Sequence, residues 1–202
     1  EGNTISDYLQ KMEQGILSET KGTQRHPLPL TMTWSLTLQK MEQNYPTALS
    51  FLTCCSFLAP ANIPEAVVEA WMTLENNSSL ESREVLRVLK RYSLISWDPS
   101  EKSFSIHRLM QEFLQERAQG EMAFCLERVM RALTETVEKH GRSIERFKCD
   151  FALLPHLEMV LHRVKEVKEP SLALQKIQAE VLMCTSSLYL DLGFYQKAIP
   201  LA

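Results

Sequence analysis

Residues Leu94–Leu109 read LISWDPSEKSFSIHRL, and this stretch decides the fold. Two short β-type runs, Leu94–Trp97 and Ser103–Ile106, flank Asp98-Pro99-Ser100-Glu101-Lys102. Asp and Ser bond their own backbone in turns and Pro presets φ, so the stretch is predicted to be a β-hairpin. Segments of helical period lie on both sides. A hairpin placed after three helices is the layout of a winged helix. Its second strand runs directly into His107, which makes that histidine the candidate functional residue.

Upstream, Met32, Trp34, Leu36, Leu38 and Met41 predict a helix from about Leu30 to Gln43. Pro46 opens a second helix, to Leu58, where its missing N–H does no harm. This run is nearly all apolar or small, which marks it as the central buried helix. Pro60 and Pro64 bracket a turn. A third helix carries Val67, Val68, Ala70, Trp71 and Leu74. Ser82 can cap the next helix, with Val85, Leu86, Val88, Leu89 and Tyr92 inward. At the start of the chain, Thr4–Leu17 reads as an amphipathic helix, ended by Gly22 and the HPLP run at His26–Pro29.

Downstream, helices are predicted over Arg108–Gln119, Met122–His140, about Phe151–Val164 and Ser171–Leu192, with Phe124 and Phe151 among their apolar positions. Gly120, Gly141, Glu169-Pro170 and Gly193 supply the breaks, and Pro155 is expected near a helix start or at a kink. The fold class is therefore mainly α: a winged-helix domain with one β-hairpin, then a helical linker and a helical hairpin. The expected divisions are 1–25 (the last helix of a preceding helical domain, plus a loop), 26–119 (winged helix) and 120–202.

The 202 residues carry a net charge of −3, which gives no general attraction to nucleic acid or acidic membranes. No apolar run approaches the roughly 20 residues that span a bilayer. The five cysteines are odd in number and form no CxxC pair, which fits reduced thiols in an intracellular, cytoplasmic setting.

Two pieces resemble known families. Thr33-Trp34-Ser35, the helix ending Ser56-Phe57-Leu58-Ala59-Pro60, Leu89-x-x-Tyr92-Ser93-Leu94-Ile95 and Ile106-His107-Arg108-Leu109 together resemble the winged-helix domain that follows the nucleotide-binding core of NB-ARC ATPases of the STAND signalling class. Gly193, Tyr195 and Ala198 match the G-x-Y-x-x-A turn of a tetratricopeptide repeat, with Tyr189 four residues earlier. Leu153-Leu154-Pro155-His156 is similar to the helical linker before such repeats.

The resemblance implies that His107 is the residue which contacts the β-phosphate of ADP, often found in a Met-His-Asp motif; here Arg108 stands in the place of the Asp. It implies an ADP- or ATP-dependent switch in the full-length protein, with a preceding nucleotide-binding domain and a protein ligand on the repeats. Homo-oligomerisation on activation would follow. No GxxxxGK[ST] run occurs, so these residues are expected to regulate and not to catalyse.

Other readings stay open. His107 could simply cap the helix beginning at Arg108. Arg83, Arg87, Lys90 and Arg91, with Lys102 in the wing, would suit a DNA-binding winged helix, but Glu81, Glu84, Asp98 and Glu101 stand among them. A helical interaction scaffold without nucleotide is the third reading. Trp34 and Trp71 read as core, while Trp97 could pack on the body or mark a contact surface. His140, His156 and His162 lack metal-pair spacing.

Overall fold

A computed structural model describes residues 28–75, 79–139 and 144–198. The expected helix at Thr4–Leu17 lies outside them. The chain divides into two compact units between Leu49 and Ser50. The first contains α1 (Leu28–Asn44), whose buried positions include Met32, Leu38 and Met41, and the start of α2 (Pro46–Cys55). Pro46 occupies the first turn of α2, as its lack of an N–H donor favours.

The second unit holds the rest of α2, then β1 (Ile63–Pro64), α3 (Glu65–Leu74), α4 (Ser79–Arg91), β2 (Ser96–Asp98), β3 (Ser103–Ser105) and α5 (Arg108–Arg117). It continues through a 3₁₀ turn at Gln119–Glu121 into α6 (Met122–Lys139), α7 (Ile144–Val164), α8 (Leu172–Asp191) and the short α9 (Tyr195–Ala198). The fold is mainly α with one β-hairpin, in winged-helix order.

The hairpin forms where the turn residues place it. Trp97 pairs with Phe104 and Asp98 with Ser103 in antiparallel register. Between them, Asp98 Oδ1 accepts from Ser100 N–H at 2.9 Å, Ser100 Oγ at 2.6 Å and Glu101 N–H at 3.3 Å. These donors hold the Asp98 carboxyl below the usual carboxylate range. Lys102 completes the turn at φ 46°, in the left-handed region.

The sheet has a third strand that the sequence pattern does not announce. β1 pairs with β3, Ile63 opposite Phe104 and Pro64 opposite Ser103, giving the order β1-β3-β2. Pro64 is tolerated because β1 is an edge strand, where the missing donor costs no ladder bond.

Phe51 sits at the centre of this unit, fully buried, as the apolar run of α2 implies. Its ring meets Trp71 edge-on at 5.6 Å and 76°, and Phe104 at 6.0 Å. The Arg128 guanidinium of α6 lies 4.8 Å from the Trp71 indole and 4.9 Å from the Phe124 ring, and pairs with Glu75. This cation–π stack joins α6 to α3. It also explains Phe124, which is 50% exposed and not inward as its helical spacing suggests. Phe151 is likewise exposed.

The three long helices α6, α7 and α8 bury Leu126, Val129 and Leu133 with Leu153, Leu157 and Val160, and Ile177 and Val181. Pro155 lies inside α7 with its ring exposed. Ser171 caps α8 by accepting from Leu174 N–H at 3.1 Å. At the other end Gly193 takes φ 80°, Gly193 N–H donates to the Leu190 carbonyl, and Phe194 N–H donates to that of Tyr189. This is a Schellman ending, closed by the Tyr189 and Phe194 rings at 6.2 Å. The turn predicted at Gly193 is thus present.

Candidate functional site

His107 follows β3 by two residues and is the N-cap of α5, at φ −59° and ψ 133°. Its Nδ1 accepts from Leu109 N–H at 3.2 Å, so the capping role anticipated from sequence is present. An accepting Nδ1 carries no proton, so in the neutral ring the proton sits on Nε2. The side chain is exposed, and it therefore offers a donor outward from the helix N-terminus. Arg108 beside it is 83% exposed, with its Nε 3.3 Å from Glu112. Helix N-terminal amides, an imidazole N–H and a guanidinium all share one polarity here, which favours an anion.

The helix behind this cap is anchored by two glutamines. Buried Gln111 donates from Nε2 to the Leu58 carbonyl at 3.1 Å, and Gln115 donates to the Ser56 carbonyl. Gln115 Oε1 in turn accepts from Arg163 Nη2 of α7 at 3.3 Å. The residues just beyond the end of α2 are thus bonded from α5, which fixes His107 relative to the core.

The basic residues of α4 do point outward. Arg83, Arg87, Lys90 and Arg91 are exposed, but Arg87 pairs with Glu84 and Lys90 stacks 5.3 Å over the half-buried Trp97. Counting Lys102, five positive side chains face four carboxylates, those of Glu81, Glu84, Asp98 and Glu101. A surface so nearly balanced lacks the concentrated field that phosphate-backbone binding needs.

The remaining candidates fall in separate places. Trp71 is core and Trp34 is half-buried. His140 lies outside the described residues. His162 is exposed, 4.0 Å from Glu166. Among the described residues no group of three or more His, Cys, Asp or Glu side chains could hold a metal, and no helix is long and apolar enough to cross a membrane. Cys54, Cys55 and Cys125 are buried and free, and Cys184 is half-buried and free. A bond with Cys125, together with burial, pushes the Cys54 thiol up and leaves it protonated.

A groove of about 420 Å³ opens between α7, α8 and α9. Three of its polar groups meet one another: the Tyr189 hydroxyl donates to Glu158, Lys197 Nζ lies 3.6 Å from the same carboxylate, and that ammonium sits 5.3 Å from the Tyr189 ring. Burial and the Glu158 bond raise the Tyr189 hydroxyl well above its usual range.

One of the three histidines whose spacing suits no metal pair has a defined polar contact. His156 is wholly buried on α7, with Nε2 3.2 Å from the Asn62 carbonyl. The signal that could have found it is a histidine inside an otherwise apolar helical face, directly after Pro155.

A family model described as a domain of unknown function (DUF7779) matches residues 39–123, a span that runs from within α1 into α6 and contains the wing and His107. No curated protein matches, and no solved structure does.

Proposed function

We propose that this chain is the regulatory winged-helix and helical-arm portion of an ADP/ATP-dependent switch of the STAND type. In this reading His107 contacts the β-phosphate of ADP held by a preceding nucleotide-binding domain, and so keeps the protein inactive. The helices from α6 onward lead to tetratricopeptide-like repeats that receive a protein ligand, and exchange of ADP for ATP releases the contact and permits homo-oligomerisation in the cytoplasm. The ATPase machinery belongs to that preceding domain, and these residues bias its two states.

One observation carries the reading. His107 presents an Nε2 donor outward at the N-terminus of α5, beside Arg108. In the place of the motif's acidic residue, Arg108 adds positive charge, which strengthens the attraction for a phosphate. The near-balanced charge on α4 and the wing weighs against the DNA-binding alternative.

The test separates capping from phosphate contact. His107→Asp keeps a good N-cap acceptor but sets a carboxylate against the phosphate, whereas His107→Ala removes both functions. In the full-length protein both variants are expected to weaken ADP retention. A lost charge-assisted bond is worth about 1.5–3 kcal/mol, or roughly 10- to 150-fold. Basal oligomerisation should rise with it. Only His107→Ala should also lose about 1 kcal/mol of thermal stability from the missing cap. ADP affinity unchanged in both variants would overturn the reading, as would tight duplex-DNA binding with a steep salt slope.

A further inference from the structure

One of the polar contacts of the helical arm, from α7 to the turn before β1, leads towards His107. His156, midway along α7, has no exposed surface, and its Nε2 lies 3.2 Å from the carbonyl oxygen of Asn62. Asn62 is held at φ 59°, a left-handed conformation unusual for a residue with a side chain. Its own N–H donates to Ser105 Oγ at 3.2 Å, and two residues earlier the Pro60 carbonyl accepts from Ile106 N–H at 2.8 Å. Ser105 and Ile106 are the last two residues before His107. Ile63, directly after Asn62, is the start of β1 and pairs with Phe104 of β3.

A histidine is a costly choice for so apolar a site. Its Nδ1 is buried without a hydrogen-bond partner among the described residues, and burial drives the ring towards its neutral form. Packing alone would be served by leucine. What histidine adds is an N–H within hydrogen-bond reach of the Asn62 carbonyl.

We propose that His156 is a positioning residue through which the helical arm fixes the β1 turn, and with it the wing strand and the cap at His107. Movement of α7 relative to the sheet removes the donor from Asn62, frees the turn to leave its left-handed conformation, and loosens the Ser105 and Ile106 bonds that set where α5 begins. The link to nucleotide rests on the switch reading above, while the structural link from arm to wing stands without it.

The experiment uses the full-length protein with three variants. His156→Met keeps volume and removes the donor. His156→Gln restores a donor of similar reach, and His156→Met is also combined with His107→Ala. Hydrogen-exchange protection at residues 61–63 and 103–107 is expected to fall about 5- to 150-fold in His156→Met, the range for an unsatisfied buried carbonyl, and to recover in His156→Gln. ADP retention should fall in His156→Met, and the double variant should be no worse than His107→Ala alone, because both act on one contact.

Exchange that rises evenly over the whole chain, with no rescue by Gln, would show only a core histidine and overturn the proposal. Local loosening in a wild-type protein that binds no ADP would overturn the nucleotide reading and leave the arm-to-wing link intact.

Discussion

Lowering the pH from 6.5 to 4 is expected to cost the wild-type chain about 3 kcal/mol more stability than it costs His156→Gln. The cause is burial, which lowers the His156 pKa from 6.5 to about 4, while the bond to the Asn62 carbonyl opposes the shift more weakly. Between those two values an unfolded chain binds a proton that the folded chain refuses, so stability falls as pH falls through this window. Above pH 6.5 both states are neutral and the contribution is complete. Carboxylates also titrate near pH 4, but they do so in both proteins and cancel in the comparison. Urea unfolding at half-unit pH steps measures the difference. Parallel stability curves would show that the imidazole is solvated in the folded protein and would refute the burial argument.

Truncating Trp71 should have an effect of similar size at every pH. The side chain is 2% exposed, packs edge-on against Phe51, and has the Arg128 guanidinium 4.8 Å from its ring. Large-to-small changes of this kind cost about 3–5 kcal/mol through lost transfer energy and a residual cavity. Trp71→Ala is placed at the upper end, because Arg128 also loses the ring it stacks on. Trp71→Phe retains a ring for both neighbours and should lose much less. Equilibrium denaturation of the two variants decides the matter, and a loss below about 1 kcal/mol for Trp71→Ala would mean that this cluster is not the core.

The parts of the fold that could be read from sequence are those whose cause is local. Asp98 and its serine neighbour close the hairpin through bonds within three residues, and α8 ends at Gly193 through bonds to the Tyr189 and Leu190 carbonyls of its last turn. The apolar run of α2 marks its own burial. The cap at His107 is local as well, and its place after a strand and before a helical period is visible in the chain.

What was hidden depends on partners distant in sequence. β1 is two residues long and half proline, and it is a strand only because β3 lies beside it. Phe124 repeats at core spacing yet lies half exposed, with the Arg128 guanidinium of the following turn over its ring. His156 escaped a search for pairs of ligating side chains because its partner is a backbone carbonyl 94 residues away.

The glutamine pair of α5 has a consequence for the order of assembly. The carbonyls of Ser56 and Leu58, just beyond α2, receive their donors from residues 59 and 53 positions later in the chain. A nascent polypeptide that has completed α2 must therefore leave that end to water until the wing and most of α5 have been synthesised. Contacts of such long sequence separation form late, because the loop between them must close first. The long-range bonds at the end of α2 and the docking of α5 are thereby tied together. A ribosome stalled before Gln111 would carry a chain in which neither carbonyl has its glutamine donor.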